Sequence, residues 1–153
     1  MLNCLPQSLC SWNYRVPATS SGTAELNFNF FTEQGSIFFD GGELEVCKHG
    51  FASGHWTLQS NGRTLMTGQK ISPFFRTFEV SASRRQLTVK AQSMFSRSFD
   101  ILESDSVQGT IRPKHPFTRR AVIDCSDEVP ELVQIFCFWL VVITWRRNQK
   151  NSS

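Results

Sequence analysis

Between Val129 and Trp145 the chain reads VPELVQIFCFWLVVITW, and after Pro130 only Glu131, Gln134 and Thr144 interrupt the apolar run. A helix made from this segment has no polar face. Such a helix is buried, either inside a large core or inside a membrane. The run is 17 residues long from Val129 and 14 from Leu132, whereas a bilayer span takes about 20. Trp139 falls in mid-segment, where an interfacial aromatic is not expected, while Trp145 would suit a belt position ahead of Arg146, Arg147 and Lys150. The length favours a core helix. The alternative is a tail anchor, with residues 129–145 in the bilayer and a β domain facing the cytosol.

The rest of the chain supplies the β domain. From residue 24 the pattern has period two: Leu26, Phe28 and Phe30 alternate with Glu25, Asn27 and Asn29. Two hairpins follow. Ser36–Asp40 turns at Gly41-Gly42 into Glu43–Cys47, and His55–Ser60 turns at Asn61-Gly62 into Arg63–Thr67. Asn-Gly is a strong hairpin signal, because a type I′ turn needs φ > 0 at both central positions. A two-residue loop there sets Leu58 opposite Leu65 and Trp56 opposite Thr67. Further strands are expected at Phe74–Val80, Gln86–Lys90, Ser96–Leu102, Val107–Ile111 and Phe117–Ile123, with turns at 81–85 and 103–106. Strands at this spacing indicate an antiparallel sandwich or barrel of roughly ten strands.

With 153 residues the chain makes one domain with a real core. Residues 1–23, with Pro6, Pro17 and Ala18–Gly22, are expected to be a loosely ordered lead-in, 24–147 the barrel, and 148–153 a polar tail. The helix is expected over about 127–146, with Ser126 or Asp127 as its N-cap and Glu128 and Glu131 at the positive end of its dipole. The economical way to bury such a helix is to close the sheet into a barrel and thread the helix through it. Closure removes the sheet edges, and 17 residues give about 25 Å of helix. The 14 Phe against a single Tyr suit dry core positions, because Phe has no polar tip.

This organisation resembles the tubby-like superfamily, which includes the tubby C-terminal domain, the phospholipid scramblases and the plant LURP-one-related proteins. The resemblance covers about residues 24 to 147. It is carried by Phe78-Glu-Val80 leading to Leu87-Thr-Val-Lys90, by Arg97-Ser-Phe-Asp-Ile101, by Gly109-Thr-Ile-Arg112, by Arg119-Arg-Ala-Val-Ile-Asp124 and by the terminal helix. It implies an all-β fold: a closed antiparallel barrel of about twelve strands around a C-terminal hydrophobic central helix. The chain lacks the scramblases' Pro-rich N-terminal region and run of cysteines. It has no acidic cluster beyond Asp124, Asp127 and Glu128. Scramblase activity is therefore not implied. Tubby proteins bind phosphoinositide headgroups through basic residues on the barrel exterior, and none of those residues is carried over here.

No catalytic or cofactor motif is present, so a non-enzymatic module with no cofactor and no metal is expected. His49, His55 and His115 read as surface or loop histidines, and Asp124–Glu128 as helix capping. Cys4, Cys10, Cys47, Cys125 and Cys137 are odd in number and fit no zinc or redox spacing. With an N-terminus unlike a secretory signal, this predicts a reduced, cytoplasmic protein, free or at a membrane surface, and a monomer. The net charge of +3 is unremarkable, but Arg84, Arg85, Lys90, Arg97, Arg112, Lys114, Arg119 and Arg120 concentrate in the second half. Arg112, Lys114, Arg119 and Arg120 lie around one Pro-containing turn and form the candidate site for an anionic phospholipid headgroup. Each charge near a membrane is worth about 1 kcal/mol. The competing readings are a solvated set of strand-edge cations and a protein-binding surface. Nucleic acid is not expected, because no aromatic platform adjoins these charges in the sequence.

Overall fold

The computed structural model describes every residue except Phe30, Phe51 and Ser153. Twelve strands follow one another: β1 Leu2–Pro6, β2 Tyr14–Thr19, β3 Gly22–Asn29, β4 Gln34–Phe39, β5 Gly42–Lys48, β6 His55–Ser60, β7 Arg63–Lys70, β8 Thr77–Ala82, β9 Arg85–Ala91, β10 Phe99–Glu103, β11 Ser106–Pro113 and β12 Ala121–Cys125. The helix α1, Glu131–Asn151, ends the chain. Each strand pairs with its sequence neighbours, and β1 pairs with β12, so the sheet is a closed up-and-down antiparallel barrel. The expected lead-in is therefore wrong in part. Residues 2–6 and 14–19 are the strands that close the barrel. The pairing of β1 with β12 is remote in sequence and leaves no local signature. Phe30, expected at the end of the first alternating strand, lies outside the described residues.

The helix runs through the lumen. Val133 to Trp145 are all buried, with no exposed face among them. Tyr14 of β2 meets Phe138 edge-on at 4.9 Å, and Phe28 of β3 stacks on Trp139 at 3.7 Å. The walls make room with glycine. A Cβ on Gly68 of β7 would come within 2.8 Å of Leu140, and one on Gly35 of β4 within 2.8 Å of Trp139. Val133 to Trp145 thus lie inside the barrel, which corrects the tail-anchor alternative, and no helix among the described residues is long and apolar enough to cross a membrane. The helix begins later and ends later than expected. Its N-cap is Pro130, with no side-chain cap bond, so neither Ser126 nor Asp127 caps it. Ser126 Oγ instead accepts from the Glu128 amide, and Glu131 accepts from the Ser20 amide. The tail from 148 continues the helix to Asn151.

Hairpin registers differ from expectation in two places. The first turn is Asp40-Gly41, with φ of 51° and 74°, because Phe39 pairs with Gly42. The Asn61-Gly62 turn forms as expected, with φ of 50° and 79°. A β-bulge at Leu65 then pairs Leu58 with Met66 and Trp56 with Gly68. The extra residue reverses the parity of β7. Met66 and Gly68 turn inward and Leu65 outward. Without the bulge Gly68 would face solvent and Thr67 would press on Leu140.

The connections differ systematically between the two ends. At one end, the turn end, five two-residue turns join β2–β3, β4–β5, β6–β7, β8–β9 and β10–β11. At the other, the loop end, six connections of four to seven residues join the remaining consecutive strands. The helix enters at the turn end and its C-terminus emerges among the loops.

Candidate functional site: the loop end and its arginine cleft

The 14 Phe do not all go to the core. Phe28, Phe78, Phe99, Phe136 and Phe138 are buried, but Phe31, Phe74, Phe95 and Phe117 sit on loop-end connections at 89% exposure or more. Leu9, Ile71, Phe75 and Met94 are exposed on the same connections. Large exposed apolar side chains clustered in one region mark an interaction surface, whereas scattered ones do not.

Charge divides the same way. The six loop-end connections carry Arg76, Arg97, Lys114, Arg119 and Arg120 against Glu33 alone, a balance of +4 in a chain whose total is +3. The five turns and residues 126–130 carry Asp40, Asp105, Asp127 and Glu128 against Arg84. The one acidic side chain of those connections is engaged. Glu33 accepts from Arg147 through both oxygens, at 2.6 and 2.7 Å, and from Lys48 at 2.8 Å. Burial works against its ionisation. The hydrogen bonds and charges of Arg147 and Lys48 outweigh that and hold its carboxyl below the usual range. Arg146, Arg147 and Lys150 near the helix C-terminus also suit the negative end of the helix dipole.

A cleft of about 760 Å³ opens in this end. Among the described residues Arg15, Arg97, Arg119 and Arg120 line it and no carboxylate does, while Leu9 and Phe117 form its apolar lip. Two of the arginines are fixed in place. Arg119 stacks over Trp12 at 4.1 Å, donates to the Ser11 carbonyl at 3.0 Å, and its own carbonyl accepts from Tyr14 at 2.8 Å. The Arg97 guanidinium lies 5.4 Å from the Trp145 ring, and its carbonyl accepts from the Trp145 indole at 2.9 Å. Arg15 and Arg120 are exposed. Four arginines lining one cleft suit an anion with several oxygens, since each guanidinium offers a planar fork of donors.

Of the four residues expected from sequence, the structure brings Arg119 and Arg120 into this cleft and leaves Arg112 and Lys114 outside it. Arg112 is exposed on the outer wall, opposite Val122, and the Lys114 amide donates to the Arg120 carbonyl across the same ladder. Arg15 and the cleft's aromatic residues were missed. The aromatic neighbours judged absent are Trp12, Trp145 and Phe117, but Trp145 is buried and Trp12 lies beneath Arg119. A usable signal was present. In a meander every second connection lies at the same end, so the apolar and basic loops could have been grouped by parity alone.

The remaining candidates stay apart. His49 Nε2 lies 2.7 Å from Thr57 Oγ1, with its ring 5.4 Å from that of His55, and His115 accepts from the Phe117 amide. No group of three or more His, Cys, Asp or Glu among the described residues could hold a metal. All five cysteines are free, and burial pushes the Cys4 and Cys137 thiols far up. No family model, no curated protein and no solved structure matches the chain.

Proposed function

We propose that the protein is a non-enzymatic binding module for anionic phospholipid headgroups, working as a monomer at a membrane surface in the cytoplasm. The observation that carries the reading is the cleft walled by Arg15, Arg97, Arg119 and Arg120 with no carboxylate among its described lining residues. Like charges gathered around one cleft repel one another, and an anion between them relieves the repulsion. Kinship with the tubby-like superfamily belongs to the same proposal. Its support is the order of elements, twelve meandering strands and then a helix through the lumen.

The test uses Arg97→Gln/Arg120→Gln, which removes two cleft charges and spares the stacked Arg119. Wild type should bind vesicles containing a polyanionic phospholipid more tightly than vesicles of neutral lipid. Added salt should weaken that binding by screening. The double variant should lose about 2 kcal/mol, taking about 1 kcal/mol per basic residue near an anionic surface, with its melting temperature kept. Inorganic phosphate in solution forms a second arm: competition at millimolar concentration would assign the cleft to phosphate as such rather than to a lipid array. Equal binding to neutral vesicles, or undiminished binding by the double variant, would refute the reading.

A further inference from the structure

The cleft is one sector of a larger surface. Leu9, Phe31, Phe74, Met94, Phe95 and Phe117 come from five different connections, and each is 85% or more exposed. The up-and-down order puts all five connections at one end of the barrel, so the side chains form a rim around the emerging helix. None of the six is at the turn end, whose two-residue turns carry no large apolar side chain.

Parts of the rim are held ready. Arg76, in the β7–β8 loop, donates to the carbonyls of Ser93 and Met94 at 2.7 and 2.8 Å. It thereby clamps the loop bearing Phe74 and Phe75 to the loop bearing Met94 and Phe95. On the opposite side, the Arg119 bond to Ser11 clamps the β11–β12 loop, with Phe117, to the β1–β2 loop, with Leu9. Rings kept in water by such clamps have a standing gain in free energy if a nonpolar phase is offered to all of them together.

We infer that the loop end of the barrel is a membrane-docking face, seating its rim of exposed apolar side chains in the interfacial region of an anionic bilayer with the barrel axis roughly along the membrane normal. Charge selects the occupant. Interleaving cations with apolar tips matches the acyl boundary and phosphate layer of an anionic leaflet, in the manner of monotopic interfacial elements. The acidic turn end then points away from the negative surface. The inference rests on the headgroup reading for the sign of the lipid, and it adds a nonpolar component that salt does not screen.

The experiment separates the two components. Full-length wild type, the cleft variant R97Q/R120Q and the rim variant Phe74→Ser/Phe75→Ser/Phe95→Ser are co-sedimented with vesicles. The vesicles are phosphatidylserine with phosphatidylcholine, or phosphatidylcholine alone, at low salt and in 1 M NaCl. Wild type should keep a salt-resistant bound fraction on the anionic vesicles. The rim variant should lose that fraction and bind roughly tenfold or more weaker at low salt, given how much favourable transfer each Phe contributes. Its melting temperature should be unchanged, since the replaced rings are exposed. The cleft variant should lose the salt-sensitive part and keep the resistant part. Wild-type binding that 1 M NaCl abolishes, or a rim variant equal to wild type, overturns the docking inference and leaves the headgroup reading standing. A cleft variant equal to wild type, beside a rim variant that fails, overturns only the headgroup reading. If wild type self-associates in solution and the rim variant is a monomer with unaltered vesicle binding, the face is a contact between copies and the inference fails.

Discussion

At the residue scale, Glu33 shows how one side chain joins fold and surface. Its carboxylate holds Arg147 of the helix and Lys48 at the end of β5, and its carbonyl accepts from Trp56 at 3.2 Å. The charge cluster pins the helix C-terminus to the wall and neutralises the one acidic side chain of the loop-end connections. The folded-state pKa of Glu33 lies below its ordinary value. Its contribution to stability is therefore complete above the usual carboxylate range, and it is lost as pH falls through the folded value. Glu33→Gln should cost about 1–2 kcal/mol at pH 7, at the low end for charged hydrogen bonds, because Arg147 is 37% exposed and water screens it. Urea titrations should show the gap between variant and wild type closing as pH falls below the usual carboxylate range. A gap that stays constant with pH would mean that the ion cluster does not form. Little of this was legible in the sequence: the β4–β5 pairing sets Glu33 beside Lys48, but Arg147 reaches Glu33 only when the barrel closes around the helix.

At the scale of elements, the helix and the wall are cut to fit each other. The bulge at Leu65 turns Gly68 inward, and the absence of a side chain there is filled by Leu140 and Phe136. Gly68→Val should push two methyl groups into that space and cost about 1–3 kcal/mol, the usual range for overpacking, read as a lower urea midpoint. An unchanged midpoint would show that the wall does not touch the helix there. Much of this level was legible. The apolar segment announced a buried helix, and Asn61-Gly62 announced its turn, because both signals are local. The bulge was not, since an uninterrupted ladder from Ser60-Arg63 accounts for the same residues without it. Strands β1 and β2 were missed for a related reason. β1 is five residues ending in a proline, and its partner β12 is more than a hundred residues away.

For the whole molecule, the result is a barrel with two unlike ends: short acidic turns at one, and apolar and basic loops at the other. The fold class followed from the sequence because hydrophobic periodicity reports burial directly. The site did not, because five separate connections build it, Arg112 faces the outer wall, and Lys114 lies outside the cleft, although both are close to Arg119 and Arg120 in sequence. The excess of Phe was informative, yet it pointed to the core alone. The account's central claim is that only the loop end meets the lipid. Hydrogen exchange of backbone amides, compared with and without anionic vesicles, tests it most directly. Protection is expected in the loops around Leu9, Phe31, Phe74, Phe95 and Phe117, with the turns at Asp40-Gly41, Asn61-Gly62 and Ser104-Asp105 unchanged. Protection centred on the outer wall of β11 and β12, at the turns, or nowhere would contradict it.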